Sequence, residues 1–347
     1  MSLELIIAVI LLIVLVFIVA MAIGANDETM ASVVGAKIVT LNAAILLGAF
    51  LQIIGAQLLG VDVSKTIGSD MVNIDLPLEV VLIIAIAMTI WLFLVSVRGY
   101  PISTTHSIVG CVLGIGLWLE FRLVLPVINW LTMLEIVIGW VLSPVFGLVI
   151  AFCLQYVIRK FVYPRATGLD RLKRMEWIFG ILLLVMVIIT GLSRGGNDVA
   201  KAVGILVLAF PDPTAPLFGI PLIRWFLLLG GGGMAIGLFL IGRRVVATVG
   251  REVTELRPSS SFAAESGVAL VMLIGTLVGL PLSGTHVLVT AVIGVGLANQ
   301  TPIGGPAVKK IAWASILTVP ISAAMSLGLF FLYAWLAPLF PLLLPVP

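Results

Sequence analysis

Acidic residues placed directly after a membrane-length apolar run constrain this chain more than any other feature. Gly24-Ala25-Asn26-Asp27-Glu28 follows the apolar stretch 3–23. Ionisable groups at membrane depth are expensive and mark substrate or ion pathways. The unit returns as Gly195-Gly196-Asn197-Asp198, after the apolar stretch 177–193. A second pair repeats in the same order: Pro101-Ile102-Ser103-Thr104-Thr105-His106 and Pro281-Leu282-Ser283-Gly284-Thr285-His286. Val109, Val112, Gly114 and Gly116 then match Val289, Val292, Gly294 and Gly296. The chain has 2 histidines, and they hold equivalent places in the two copies. The sequence therefore reads as a duplicated membrane protein with one site built from both halves.

Composition supports that class. With 61% hydrophobic and 10% charged residues and a mean hydropathy of +1.28, the chain lies far outside the range of soluble domains. Long apolar runs favour a polytopic helical bundle, and the short alternating segments of a transmembrane barrel are not evident. Cys111 and Cys153 sit in apolar runs without metal-ligand spacing. The formal charge of +3 gives no reason to invoke nucleic acid. Residues 1–23 lack a basic leader region and read as a retained first helix rather than a signal peptide.

The expected fold class is an all-α polytopic membrane protein: two inverted-topology repeats with interrupted helices and possible re-entrant hairpins. Residues 1–158 form the N-terminal repeat, 159–176 a basic cytoplasmic linker and 177–347 the C-terminal repeat. Lys and Arg near helix ends favour the cytoplasm, which places 159–176, 242–262 and 309–310 inside and the acidic 61–79 outside. Equivalent loops then fall on opposite sides. The halves are expected to be inverted, with an odd number of crossings each, and both termini outside a cell membrane. The number of crossings stays open, because 80–119 can cross twice or dip in as a hairpin.

Inverted repeats with broken helices are a common secondary-transporter plan, with the site at the midplane. Gly24, Gly195 and Gly196 permit helix breaks and close backbone approach. Asp27 and Asp198 are too costly to leave bare, so a bound cation or a proton is expected on them, with Asn26 and Asn197 beside them. Ser103, Thr104, Thr105, Ser283 and Thr285 are compact donors at helix starts, and Gly284 adds an N–H. Such a set suits an oxyanion. Each piece also has a plainer reading. Ser and Thr bond back to their own helices, His106 and His286 lock their motifs to neighbouring carbonyls, and Arg98 and Lys37 are flank charges. The Gly230–Gly233 run is expected to serve helix packing or a hinge, since it lacks the Gly-Lys-Ser/Thr of a phosphate loop.

At these motifs the chain resembles the inorganic phosphate transporter family, cation-coupled phosphate symporters related to retroviral receptors. Further matches are Gln52–Gly60, Val63, Thr66-Ile67, Thr248-Val249-Gly250, Glu255-Leu256, Phe262-Ala263-Ala264-Glu265 and Gly279-Leu280-Pro281. The resemblance implies import of inorganic phosphate coupled to a sodium gradient by alternating access. It puts phosphate at Ser103, Thr104, Thr105, Ser283, Gly284 and Thr285, and sodium at Asp27 and Asp198. Sodium would be a coupling ion, with no cofactor, no enzymatic chemistry and a homodimer plausible by resemblance. Proton-coupled phosphate transport, sulfate transport and a non-transporting phosphate receptor are the alternatives. The chain departs from the family pattern at Met30 and Lys201 (each in place of the second Asn), at Glu28 and Gly284, and at Arg194, where similar sequences often carry His. Lys201 either supplies a fixed positive charge where others bind a cation or faces the cytoplasm. Both aspartates are retained, which favours phosphate over sulfate. Glu28 is expected to accept a hydrogen bond from protonated phosphate and repel sulfate, or else to pair with Lys37 or Lys201.

Overall fold

A computed structural model describes residues 3–97, 103–210, 212–247, 257–301 and 305–336, with side chains placed except at 95–97 and 305–315. Arg98, Pro101, Ile102, the 248–256 segment with Arg251, the side chains of Lys309 and Lys310, and the tail beyond 336 lie outside the described residues.

The described chain is nearly all helix: α1 Leu3–Ala25, α2 Ala31–Gly35, α3 Leu41–Lys65, α4 Leu78–Val97, α5 Thr104–Leu123, α6 Trp130–Val157, α7 Leu169–Ala209, α8 Leu222–Gly237, α9 Pro258–Leu277, α10 Gly284–Asn299 and α11 Gly305–Leu336. Among the described residues, 8 helices are long and apolar enough to cross a membrane. Leu78–Leu94 and Gly284–Asn299 are shorter apolar helices. α10, at 16 residues, is about 24 Å long, short of the ~30 Å hydrocarbon layer.

Periodicity decides which faces turn inward. On α1, Leu12, Val16, Val19 and Ile23 are buried, at alternating spacings of four and three, while Leu3, Ile7 and Ile10 stay exposed. Side-chain oxygens start several helices: Thr40 accepts from Ala43 N (3.4 Å) at α3, and Asn129 from Thr132 N (3.3 Å) at α6. The Pro-rich bend before α8 forms a two-stranded hairpin, Pro216–Leu217 with Ile220–Pro221. Its corner residues Phe218 and Gly219 both have positive φ, 53° and 78°, as a tight two-residue turn demands.

Helix packing exchanges partners between the halves. α5 packs on α11 and α10 on α6; α3 packs on α7 and α8 on α1. Each contact thus has its counterpart when the halves are interchanged. The glycine run serves this packing. Space for a side chain at Gly230 is filled by Val199 and Val203, at Gly231 by Ala56 and Ile53, and at Gly233 by Ala20 and Phe17. α8 therefore lies against α7, α3 and α1 at once.

The basic stretch 159–176 is tied to the second half rather than standing apart. Arg159 donates to Ala298 O (2.5 Å) and Gln300 Oε1 (3.2 Å) at the end of α10. Glu176 accepts from Ser259 N and Oγ (3.0 Å each) at the start of α9.

One expectation is corrected. The second Asn-Asp motif does not interrupt its helix, because α7 runs unbroken through it for 41 residues. Gly195 and Gly196 serve packing instead: a side chain would lie 2.9 Å from Gln52 Cα at the first and 2.6 Å from Leu59 Cβ at the second.

Candidate functional site

The first Asn-Asp motif does leave the helix. After Ala25 the chain turns, with Asn26 N on Ile23 O (3.1 Å) and Asp27 N on Gly24 O (3.2 Å). Asp27 Oδ1 accepts from Thr29 N (3.0 Å) and Thr29 Oγ1 (2.5 Å). This local loop offers the backbone an alternative to continuing α1. Gln52 of α3 donates to the other oxygen, Oδ2, at 2.7 Å. Asn26 is exposed and folds back on α1, donating to Ala22 O at 2.9 Å. Gly24 packs so tightly on α8 that an added Cβ would sit 2.0 Å from Met234 O.

On α7 the second motif lies inside a long buried segment. Every residue from Ser193 to Leu208 is buried. A helical carboxylate reaches neighbours three or four positions away, and those positions hold Arg194 and Lys201. Arg194 Nε lies 3.2 Å from Asp198 Oδ2, and Lys201 Nζ bonds Asp198 Oδ1. Arg194 Nη1 reaches across to Glu28 Oε1 at 3.0 Å and Asp27 Oδ1 at 3.4 Å. Asp27, Glu28 and Asp198 thus share two cations in one network, which leaves one negative charge over. Asn197 braces the loop before α10, donating to Leu280 O (2.8 Å) and Thr276 Oγ1 (3.2 Å) and accepting from Leu282 N (3.1 Å).

The two Ser/Thr motifs start α5 and α10 beside each other. Ser103 caps α5, accepting from His106 N at 3.3 Å, and its hydroxyl lies 2.5 Å from His106 Nδ1. Thr105 Oγ1 donates to Leu282 O at 2.8 Å, joining the motifs directly. Thr104 is half-buried. Ser283 is buried and caps α10 without a side-chain bond to its backbone. Thr285 Oγ1 donates to Glu28 Oε1 at 3.3 Å. His106 lies edge-on to His286, with ring centroids 5.2 Å apart. Its partner is thus a serine hydroxyl where a carbonyl was expected.

Arg194 and Gly284 explain each other. A Cβ at 284 would lie 2.7 Å from Arg194 Nε and 3.0 Å from Cζ. The guanidinium occupies the space a side chain at 284 would need, and three carboxylates hold it there. Lys201 is 2% exposed, so it lies inside the protein rather than facing the cytoplasm. Glu28 pairs with Arg194, not with Lys37 or Lys201.

Sequence reasoning gave some residues of the site no role. Trp140 stacks on His106 at 3.8 Å and donates to Pro281 O at 3.1 Å, bracing both motifs from α6. Glu265 accepts from Ser32 Oγ at 3.2 Å. Beside it a cavity of about 50 Å³, lined by Glu28, Ser32, Thr190, Arg194, Ser261 and Glu265 among others, reaches the ion network. Glu265 stands in the family match Phe262-Ala263-Ala264-Glu265 without a role, and a lone acid inside the apolar run 263–280 is the signal that could have given it one.

Known proteins resemble this chain over most of its length. The model of the phosphate transporter family matches residues 23–326. A relative from Thermococcus kodakarensis, provisionally named a phosphate permease, is 32% identical over 90% of this chain and 94% of its own. The inorganic phosphate transporter 2-1 (chloroplastic) of Arabidopsis thaliana is 27% identical over 92% of this chain and 70% of its own. A solved structure described as the sodium-dependent phosphate transporter superposes with a TM-score of 0.81 and 28% identity, covering 94% of this chain and 99% of the other. With a family match from Ile23 to Ser326 that takes in all four motifs, this multi-pass membrane chain belongs to the phosphate transporter family.

Proposed function

We propose that this chain is a secondary transporter importing inorganic phosphate by alternating access, with sodium as the coupling ion. One observation carries the reading: the N-termini of α5 and α10, from opposite halves, meet beside the Arg194 guanidinium. Free N–H groups at a helix start favour an anion. Two such starts, furnished by Ser103, Thr104, Thr105, Ser283, Gly284 and Thr285, suit a ligand with several acceptor oxygens. The family and the names of the relatives support phosphate as that ligand. Likeness to a sodium-dependent transporter of solved structure supports sodium. Sodium is assigned to Asp27, whose carboxylate meets the Thr29 hydroxyl where the helix breaks and whose Oδ2 is bonded by the uncharged Gln52. At Asp198 both carboxylate oxygens already carry protein cations. Movement of one helix bundle against the other around this point would expose the site to each side in turn.

The test is uptake of labelled phosphate into proteoliposomes. An inward sodium gradient should drive accumulation, and choline in place of sodium should abolish it. Uptake driven by a proton gradient without sodium would replace sodium with the proton. Binding of phosphate without uptake in any gradient would make the protein a receptor and overturn transport.

A further inference from the structure

Asp198 sits at the core of α7 with a cation on each carboxylate oxygen. Lys201 Nζ holds Oδ1 from one helical turn ahead, and Arg194 Nε holds Oδ2 from one turn behind at 3.2 Å. The side chains of Asp198, Arg194 and Lys201 are 6%, 7% and 2% exposed. Arg194 is shared with Glu28 and Asp27, whereas the one carboxylate within ion-pair distance of Lys201 among the described residues is that of Asp198. The aspartate of the first copy takes its close bonds from uncharged groups, Thr29 and Gln52. An ion binding at Asp198 would have to displace an ammonium that cannot leave, and a buried ammonium stripped of its carboxylate is itself costly.

We propose that Lys201 is a tethered counter-cation, holding permanently the position that a mobile coupling cation would take at Asp198. One fewer cation then accompanies each phosphate than two vacant aspartates would admit. The proposal rests on the phosphate-transport reading and makes it more specific. It follows from charge balance among the ion-paired groups: three carboxylates against Arg194 and Lys201 leave one negative charge, and Glu265, across the adjoining cavity, is the same in wild type and variants, so the change in ion count is set by Lys201 alone. Removing Lys201 leaves two negative charges.

The number of cations taken up with phosphate is measurable on purified full-length protein. Phosphate affinity is followed against sodium concentration at fixed pH, with choline as replacement, and against pH at fixed sodium. The two logarithmic slopes together count sodium ions and protons. Lys201→Met is expected to raise that sum by one, so that each tenfold rise in sodium, or each unit fall in pH, gains a further tenfold in affinity. Lys201→Arg, which keeps the charge, should retain the wild-type sum. An unchanged sum in Lys201→Met overturns the proposal. If Lys201→Met does not fold, the charge-balanced pair Asp198→Asn with Lys201→Met decides the matter. Its sum should equal that of wild type, and a sum lower by one would show that a mobile cation does bind Asp198. Wild-type protein that is monodisperse yet binds no phosphate would instead overturn the anion site itself, a distinct outcome.

Discussion

At Asp27 the backbone leaves the helix, and the carboxylate takes its hydrogen bonds from the turn that follows and from α3, with Arg194 3.4 Å away. At Asp198 the backbone stays helical, and the carboxylate reaches along its own axis to residues one turn away. The two copies share Gly, Asn and Asp, so these residues do not decide between the outcomes. What comes next does. Thr29 supplies an N–H and a hydroxyl that close a local loop on Asp27, competing with the helix. Val199 and Ala200 offer no such bond, and the helix continues. The lesson is that a shared motif sets which charge is buried, while its neighbours set what neutralises it.

The largest effect expected tests the broken copy. Asp27→Asn should abolish gradient-driven phosphate uptake while the protein still elutes as a single species; unchanged sodium dependence would put the ion elsewhere. Next comes the residue that joins the copies. Arg194→Met strands carboxylates in both, and breaking a buried ion pair costs about 3–5 kcal/mol. A fall in thermal midpoint of matching size is expected in detergent; a negligible one would show that the carboxylates find other partners. The anion-binding starts are compared by removing their serine hydroxyls. Hydrogen bonds to charged groups are worth about 1.5–3 kcal/mol, so Ser103→Ala and Ser283→Ala should each weaken phosphate binding by roughly 10- to 150-fold. Unaltered affinity in the double variant would exclude the site. Gly284→Ala pushes a methyl against a guanidinium that cannot yield, an overpacking worth about 1–3 kcal/mol. Most of that loss should vanish when Arg194 is already His, and additive losses in that double-mutant cycle would refute the steric link. The smallest effect concerns selectivity. Glu28 lies between Arg194 and Thr285, at the start of α10. Glu28→Gln should let sulfate compete about two- to tenfold better, on the scale of an ordinary hydrogen bond of about 0.5–1.5 kcal/mol. Competition uptake with excess sulfate reads this directly.

Much of the fold was legible because burial in lipid leaves few options: apolar runs became helices, and the motifs marked where chains meet. The starts of α5 and α10 were visible in Ser103 and Ser283, since caps are a local property. The continuity of α7 was not. Gly195-Gly196 looked like a break, and only its contacts with Leu51, Gln52 and Leu59 of α3 show the glycines serving approach instead. Trp140 was invisible for the same reason, being distant in sequence from both motifs it braces. Arg194 and Gly284 stood out as oddities separately. Their mutual explanation needed the distance between them.

The exchange of partners between halves bears on how the chain is made. α5 emerges early, yet the helix it packs against, α11, comes last among the described helices, and α10 returns to an α6 already in place. At about 5–20 residues per second, α5 waits on the order of 10–40 s for its partner. During that interval Ser326, which will donate to Cys111 O at 2.8 Å, has not yet been made, and the glycine face of α5 lies open. Neither half can therefore mature alone, and truncation just before α11 should yield a product open to degradation rather than a working half-carrier.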